Sequence, residues 1–195
     1  NSIFERHDGN IPKTDIIENM KKIKPDLLYF AGDQIYNHSF HLIHWLQFGR
    51  DFGDIIRNTP TITIPDDHDI GQGNLWGAGG KLAETRHGTS GGYYLPVEYI
   101  KEVERAQTSH LPDPFDPTPI ERGIGVYYTD LKWGGMSFAI LEDRKFKTGP
   151  DAIRNKARKT HGKNVKPEHF DDKKASLLGE RQLNFLKLWT TDWKY

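Results

Sequence analysis

Apolar positions along the chain recur with two periods, and the change from one to the other predicts an α/β succession of elements. From Thr14 to about Lys24, Ile16, Ile17, Met20 and Ile23 fall at helical spacing, Thr14 can cap the start, and Pro25 ends the run. Asp15 and Glu18 stand near the positive end of that helix, and Lys21, Lys22 and Lys24 near its negative end. Leu27 to Ala31 is continuously apolar, as in a strand covered on both faces. Ser39 to Asn58 carries Leu42, Trp45, Leu46, Phe52, Ile55 and Ile56 as the stripe of a second helix. Thr61 to Ile64 is a short β-branched run stopped by Pro65, which predicts a buried strand. Pro96 to about Ser109 reads as a helix with Pro at its start. Val126 to Thr129 and Met136 to Leu141 flank Trp133-Gly134-Gly135 as a hairpin. A last helix runs from Ala175 towards Trp193, with Leu183, Leu186, Trp189 and Trp193 on its apolar side.

Four stretches break these rhythms. Asn1 to Ile11 is polar and predicts loop, and Gly71 to Gly92 is a glycine-rich, flexible loop. Leu111 to Pro119 holds four prolines and must be extended or turning. Arg154 to Lys174 is basic and polar, and predicts a mobile surface excursion. The strands before and after these breaks read as parts of one sheet system, and residues 1–195 as a single domain.

Composition narrows the function. Lys and Arg together number 27, as do Asp and Glu, so there is no basic field for nucleic acid. No apolar run approaches the length of a membrane span. The chain has no cysteine, which excludes disulfides, thiolate metal sites and thiol nucleophiles. It opens on Asn1 rather than Met and closes in a helical pattern with no capping Gly. It is therefore expected to be a stretch of a longer protein.

The candidate chemistry lies where strands end. After Thr61 to Ile64 come Pro65 and then Asp66, Asp67, His68 and Asp69. After Leu27 to Ala31 come Gly32 and Asp33, with Tyr36 three residues on. Open α/β sheets place their sites at the carboxyl ends of strands. Like charges this close repel one another unless a cation sits among them, although a solvated acidic turn has the same composition. Met136 to Leu141 repeats the device and delivers Glu142, Asp143 and Arg144. His38, His41 and His44 step by three, which drifts around a helix and does not match the i, i+4 pairs of zinc sites. His38 and His41 are the two nearer the candidate site. The glycine-rich loop, with Asn74 and Trp76, would form a rim over it.

Four motifs in order resemble a known family. Gly32-Asp33-Gln34-Ile35-Tyr36 is similar to the GDxxY motif of purple-acid-phosphatase-like metallophosphoesterases. Asp66-Asp67-His68-Asp69 is similar to the variant GNH[D/E] box of PhoD-like (alkaline phosphatase D) enzymes. Glu142-Asp143-Arg144 resembles the family's [D/E]xR element, and Leu178-Gly179-Glu180-Arg181-Gln182 its LGxxQ helix start. The resemblance runs from about Asp26 to Trp189. It implies an αββα metallophosphoesterase sandwich, represented here by its central part. It also implies hydrolysis of small phosphomonoesters or phosphodiesters by hydroxide generated at two or more metal ions, Fe3+ with Ca2+, or Zn2+ or Mn2+.

Carried over by position, Asp33 is the bridging carboxylate, Tyr36 a phenolate ligand and Asp67 a ligand to the second metal. His68 protonates the leaving alkoxide or stabilises transition-state charge, and Arg144 holds a phosphate oxygen, with Asn74 as a further substrate contact. A secreted or periplasmic setting follows from the same resemblance. Asn37 stands where these enzymes often carry Glu. The family's first metal motif would precede Asn1 and its last His-bearing box would follow Tyr195, so activity is expected of the longer protein. The alternative class is a metal-stabilised relative that binds a partner without turnover.

Overall fold

The computed structural model describes residues 14–36 and 39–192. It is a mixed α/β chain that divides into two compact units, Asn1–Gly73 with Glu98–Leu111, and Asn74–Val97 with Pro112–Tyr195. Among the described residues no helix is long and apolar enough to cross a membrane. The expectations for Asn1 to Ile11, for His38 and for Trp193 lie outside the described residues.

The first unit is built on two parallel strands, β1 (Leu28–Phe30) and β2 (Thr61–Thr63). Leu28 is paired with Thr61, Tyr29 with Ile62 and Phe30 with Thr63. Helix α1 (Thr14–Ile23) leads into β1, and α2 (His41–Asp51) and α3 (Gly53–Ile56) join the two strands. Phe52 has φ −94° and ψ 1°, which breaks the predicted single helix into two pieces. The break turns Phe52 and Ile55 inward. They close a core with Ile17, Leu28, Ile35 and Phe48, over which Phe30 lies edge-on to Phe48 with ring centroids 4.9 Å apart.

Two expectations of burial fail here. Tyr29 is 51% exposed, so β1 is covered on one face and not on both. Leu42 and Leu46 point outward from α2, as do Ile16 and Ile23 from α1, because these short helices each press one narrow strip onto the core. Helix α4 (Val97–Thr108) buries Ile100, Val103 and Gln107.

The second unit holds a hairpin of β3 (Thr129–Trp133) and β4 (Met136–Ile140), paired from Thr129↔Ile140 to Trp133↔Met136. Val126 to Tyr128, predicted as strand, instead lie buried ahead of it. Gly134 and Gly135 have φ of 58° and 77°, the left-handed pair that a two-residue hairpin turn requires. The hairpin and the β1–β2 pair are separate two-stranded sheets, not one sheet system. The proline-rich stretch forms neither helix nor strand, as expected, and is tied to the segment ahead of the hairpin. The Phe115 amide donates to the Tyr128 carbonyl at 2.8 Å, and the Tyr127 hydroxyl to the Pro112 carbonyl at 2.8 Å.

Helix α5 (Pro150–His161) takes up the first part of the predicted surface excursion, and the rest, mostly exposed, holds two short 3-10 turns, Gly162–Asn164 and Pro167–Phe170. Only Ala157 of α5 is buried, so no apolar stripe announces the helix. Pro150 at its start and Arg158, Lys159 and His161 in its last turn are its stabilising signals. Helix α6 (Gly179–Trp189) begins later than predicted and packs through Phe185, with Leu186 and Trp189, while Leu183 faces outward.

Candidate metal centre

The two loops that follow β1 and β2 are pressed together. A Cβ on Gly32 would lie 2.2 Å from the Asp66 Cβ, and Gly32 has a φ of +98°, so no other residue fits. Asp33 follows, also left-handed at φ +60°. On the β2 side, Ile64 and Pro65 are buried, and the turn closes through Ile70 N–H to the Asp66 carbonyl (3.2 Å) and Gln72 N–H to the Asp67 carbonyl (3.1 Å).

This geometry brings together side chains 34 residues and more apart in sequence. One ligand atom from each of Asp33, Asp67 and His68 falls within 4.8 Å of the others. Asp67 is buried, and Asp33 and His68 are half-buried. The Tyr36 hydroxyl donates to Asp33 Oδ2 at 2.9 Å, and its ring stacks flat on the His68 imidazole with centroids 3.9 Å apart and planes within 7°. Gly73 passes on another side of the imidazole, where a Cβ would approach His68 Cε1 to 3.2 Å. Asp33, Tyr36, Asp67 and His68 thus form one cluster.

Whether the cluster suits a cation is tested by one atom. Asp33 Oδ1 is buried and finds no hydrogen-bond partner among the described residues. A buried carboxylate oxygen left unpaired costs about 1–3 kcal/mol or more, and a cation is what two oxygens and an imidazole nitrogen at this spacing would coordinate. The donor set fits. His68, expected to protonate the leaving group or stabilise transition-state charge, contributes one of the three convergent ligand atoms.

Asn74 and Arg144 belong to the second unit. Asn74 is exposed with φ +58°. Arg144 is half-buried, with Nε 3.7 Å from Asp143 Oδ1. Of the rest of the [D/E]xR element, Asp143 is exposed and Glu142 is wired inward. Glu142 Oε2 accepts the Tyr127 amide at 2.6 Å, and Glu142 Oε1 lies 3.7 Å from the buried Lys145 ammonium. The glycine-rich loop is not a free rim in this unit. The amides of Gly77 and Gly79 bond the carbonyls of Arg144 and Lys145 at 2.8 and 2.9 Å, and a Cβ on Gly77 would strike both carbonyls at 2.6 Å.

Three residues near the cluster had no assigned role from sequence. Asp69 is fully buried, and its carboxylate accepts four hydrogen bonds described below. Burial pushes its carboxyl up to about 7, against the downward pull of those bonds. Gln107 on α4 is one of the four donors and carries no local motif. His41 is buried, which pushes its imidazole down to about 4, and His44 is half-buried. Set against protein-family models, curated proteins and solved structures, the chain matches none of them.

Proposed function

We propose that the protein hydrolyses small phosphoesters, monoesters or diesters, with metal ions held at the Asp33–Asp67–His68 cluster, as the central part of a PhoD-like αββα sandwich. The observation that carries this reading is the convergence of those three ligand atoms within 4.8 Å, with the Tyr36 phenol bonded to Asp33. Bound cations, Fe3+ with Ca2+ or else Zn2+ or Mn2+, would neutralise the anionic ester and lower the pKa of a water to about 7. Asp33 and Asp67 supply the hard oxygen donors, and Asp33, with one oxygen on Tyr36 and the other unpaired, is the one suited to bridge. Tyr36, bonded to Asp33, would be a further ligand as its phenolate. His68, stacked flat on the Tyr36 ring, would stabilise transition-state charge through the ring nitrogen not turned to the metal. In this reading Arg144 and Asn74 contact the substrate, the guanidinium fork matching a phosphate oxygen pair, and the setting is secreted or periplasmic.

The test is elemental analysis with p-nitrophenyl ester turnover on wild type, Asp33→Ala and Asp67→Ala. Near-stoichiometric metal in wild type, lost together with turnover in both variants, is the expected outcome. Metal without turnover would favour a metal-stabilised binding protein. Metal in none of the three would leave the acidic loops as solvated turns.

A further inference from the structure

Asp69 is fully buried and bonded to both ligand loops. Its Oδ2 accepts the amides of Asp33 at 2.6 Å and Asp66 at 3.0 Å. Its Oδ1 accepts the amide of Ile35 at 2.9 Å and the side-chain Nε2 of Gln107 at 2.9 Å. Two of these donors belong to the loop after β1, one to the loop after β2 and one to α4. All four are donors to a carboxylate, and four contacts account for the good acceptor sites of its two oxygens. Asp69 therefore has nothing left to offer a metal.

The same bonds explain the backbone. Asp33 is left-handed, a conformation that an L-residue holds only when its surroundings over-determine it. Its amide, fixed to Asp69 beside the approach of Gly32 to Asp66, is what over-determines it. Gln107 is itself anchored. Its backbone carbonyl accepts the Thr63 hydroxyl from the last residue of β2, and its Oε1 has no hydrogen-bond partner among the described residues. The amide group is thus oriented by its single bond to Asp69.

We infer that Asp69 is the positioning residue of the metal centre, setting Asp33 against Asp67 by clamping both loops, and that Gln107 orients Asp69. The inference rests on the reading of Asp33, Asp67 and His68 as metal ligands. Asp69→Asn turns one oxygen into an NH2 group facing amide donors, so the clamp opens at one side. Groups that hold ligands in place typically contribute about 10–100-fold to metal affinity.

The test is calorimetric titration of the purified protein with Mn2+, alongside its thermal midpoint without metal. Wild type is compared with Asp69→Asn, Gln107→Met and Val103→Ala, the last a buried truncation on the same helix as Gln107. The expected result is affinity about 10–100-fold weaker for Asp69→Asn, a smaller loss for Gln107→Met, and wild-type affinity for Val103→Ala at a lowered midpoint. Wild-type affinity in both Asp69→Asn and Gln107→Met overturns the inference while the metal centre stands. Affinity that simply follows the thermal midpoint across all three variants also overturns it, because Asp69 is then only structural. If Asp69→Asn does not fold, Gln107→Met against Val103→Ala decides on the same terms. Absence of Mn2+ binding by wild type removes the metal centre and the inference with it, a failure visible before any variant is made.

Discussion

Each unit of this protein carries a carboxylate where a strand has just ended, and the two are used in opposite ways. In the first unit Asp33 keeps one oxygen buried without a partner among the described residues, beside Asp67 and His68. In the second, Glu142 follows β4 by two residues and is enclosed by partners. Its side chain takes the Tyr127 amide and faces Lys145, and its backbone N–H and carbonyl are both held by Gln182 at 2.9 and 2.7 Å. Asp33 follows β1 by three residues, so both carboxylates stand just past the end of a strand. What separates a candidate site from a structural joint is whether the protein has already satisfied the carboxylate.

The largest expected effect breaks that comparison most directly. Asp67→Ala should reduce metal affinity by more than about 100-fold, since a lost ligand outweighs the effect of residues that only support one. The metal-free fold should lose about 1 kcal/mol, the centre of the range for a single change. Glu142→Gln should do the reverse. Replacing the carboxylate by an amide removes its charge from the pair with Lys145, 2% exposed, at a cost of about 1–3 kcal/mol. Metal affinity should not change. Chemical denaturation and metal titration on both variants read the two axes separately, and a Glu142→Gln protein that loses metal at full stability would erase the distinction.

The sequence showed the first unit's cluster because its signals are local. Gly32-Asp33 and Asp66 to Asp69 each follow a short apolar run, and the contact between Gly32 and Asp66 needs only that the runs pair. The same reasoning could not separate Glu142 from Asp33, since satisfaction depends on Lys145, Tyr127 and Gln182 arriving from elsewhere. Gln182 was visible as the end of an LGxxQ pattern, but its bonds to Glu142 were not. Gly179 in that pattern has a physical reason too, as a Cβ there would lie 2.4 Å from the Phe146 ring. Periodicity failed where burial is sparse. Helix α5 buries one alanine, and the apolar run of β1 does not reveal that Tyr29 is half exposed.

A smaller effect is expected from pH, and in the first unit it comes from two buried groups. His41 has its folded pKa lowered to about 4 from an ordinary 6.5 because burial disfavours the imidazolium. Above the ordinary value neither state is charged and the full stability is present. As pH falls below it, the unfolded chain takes up a proton that the folded chain refuses, so stability is lost progressively down to about pH 4. The loss is at most about 3 kcal/mol. Buried Asp69, raised to about 7, titrates with the opposite sign, gaining folded-state protonation as pH falls. The difference between wild type and His41→Leu in denaturation at pH 7 and pH 4.5 therefore isolates the imidazole. A wild-type slope no steeper than that of His41→Leu would show that His41 is not held neutral.

The smallest effect separates backbone shape from close approach. Gly32 and Gly134 are both left-handed, with φ of +98° and +58°. At Gly32 an added Cβ meets Asp66 at 2.2 Å, whereas at Gly134 it meets nothing within 4 Å. Gly134→Ala therefore carries only the conformational penalty of a left-handed L-residue, about 1–2 kcal/mol. For a chain of this length that lowers the thermal midpoint by about 2–4 °C per kcal/mol. Gly134→Asn should recover most of it, because Asn tolerates this region. Neither change should alter Mn2+ affinity, since the hairpin turn carries none of the four clustered residues. If Gly134→Ala costs several kcal/mol, the turn is packed against something other than solvent. If it weakens Mn2+ binding, the hairpin contributes to the metal centre and the contrast between a satisfied unit and a site-bearing one no longer holds.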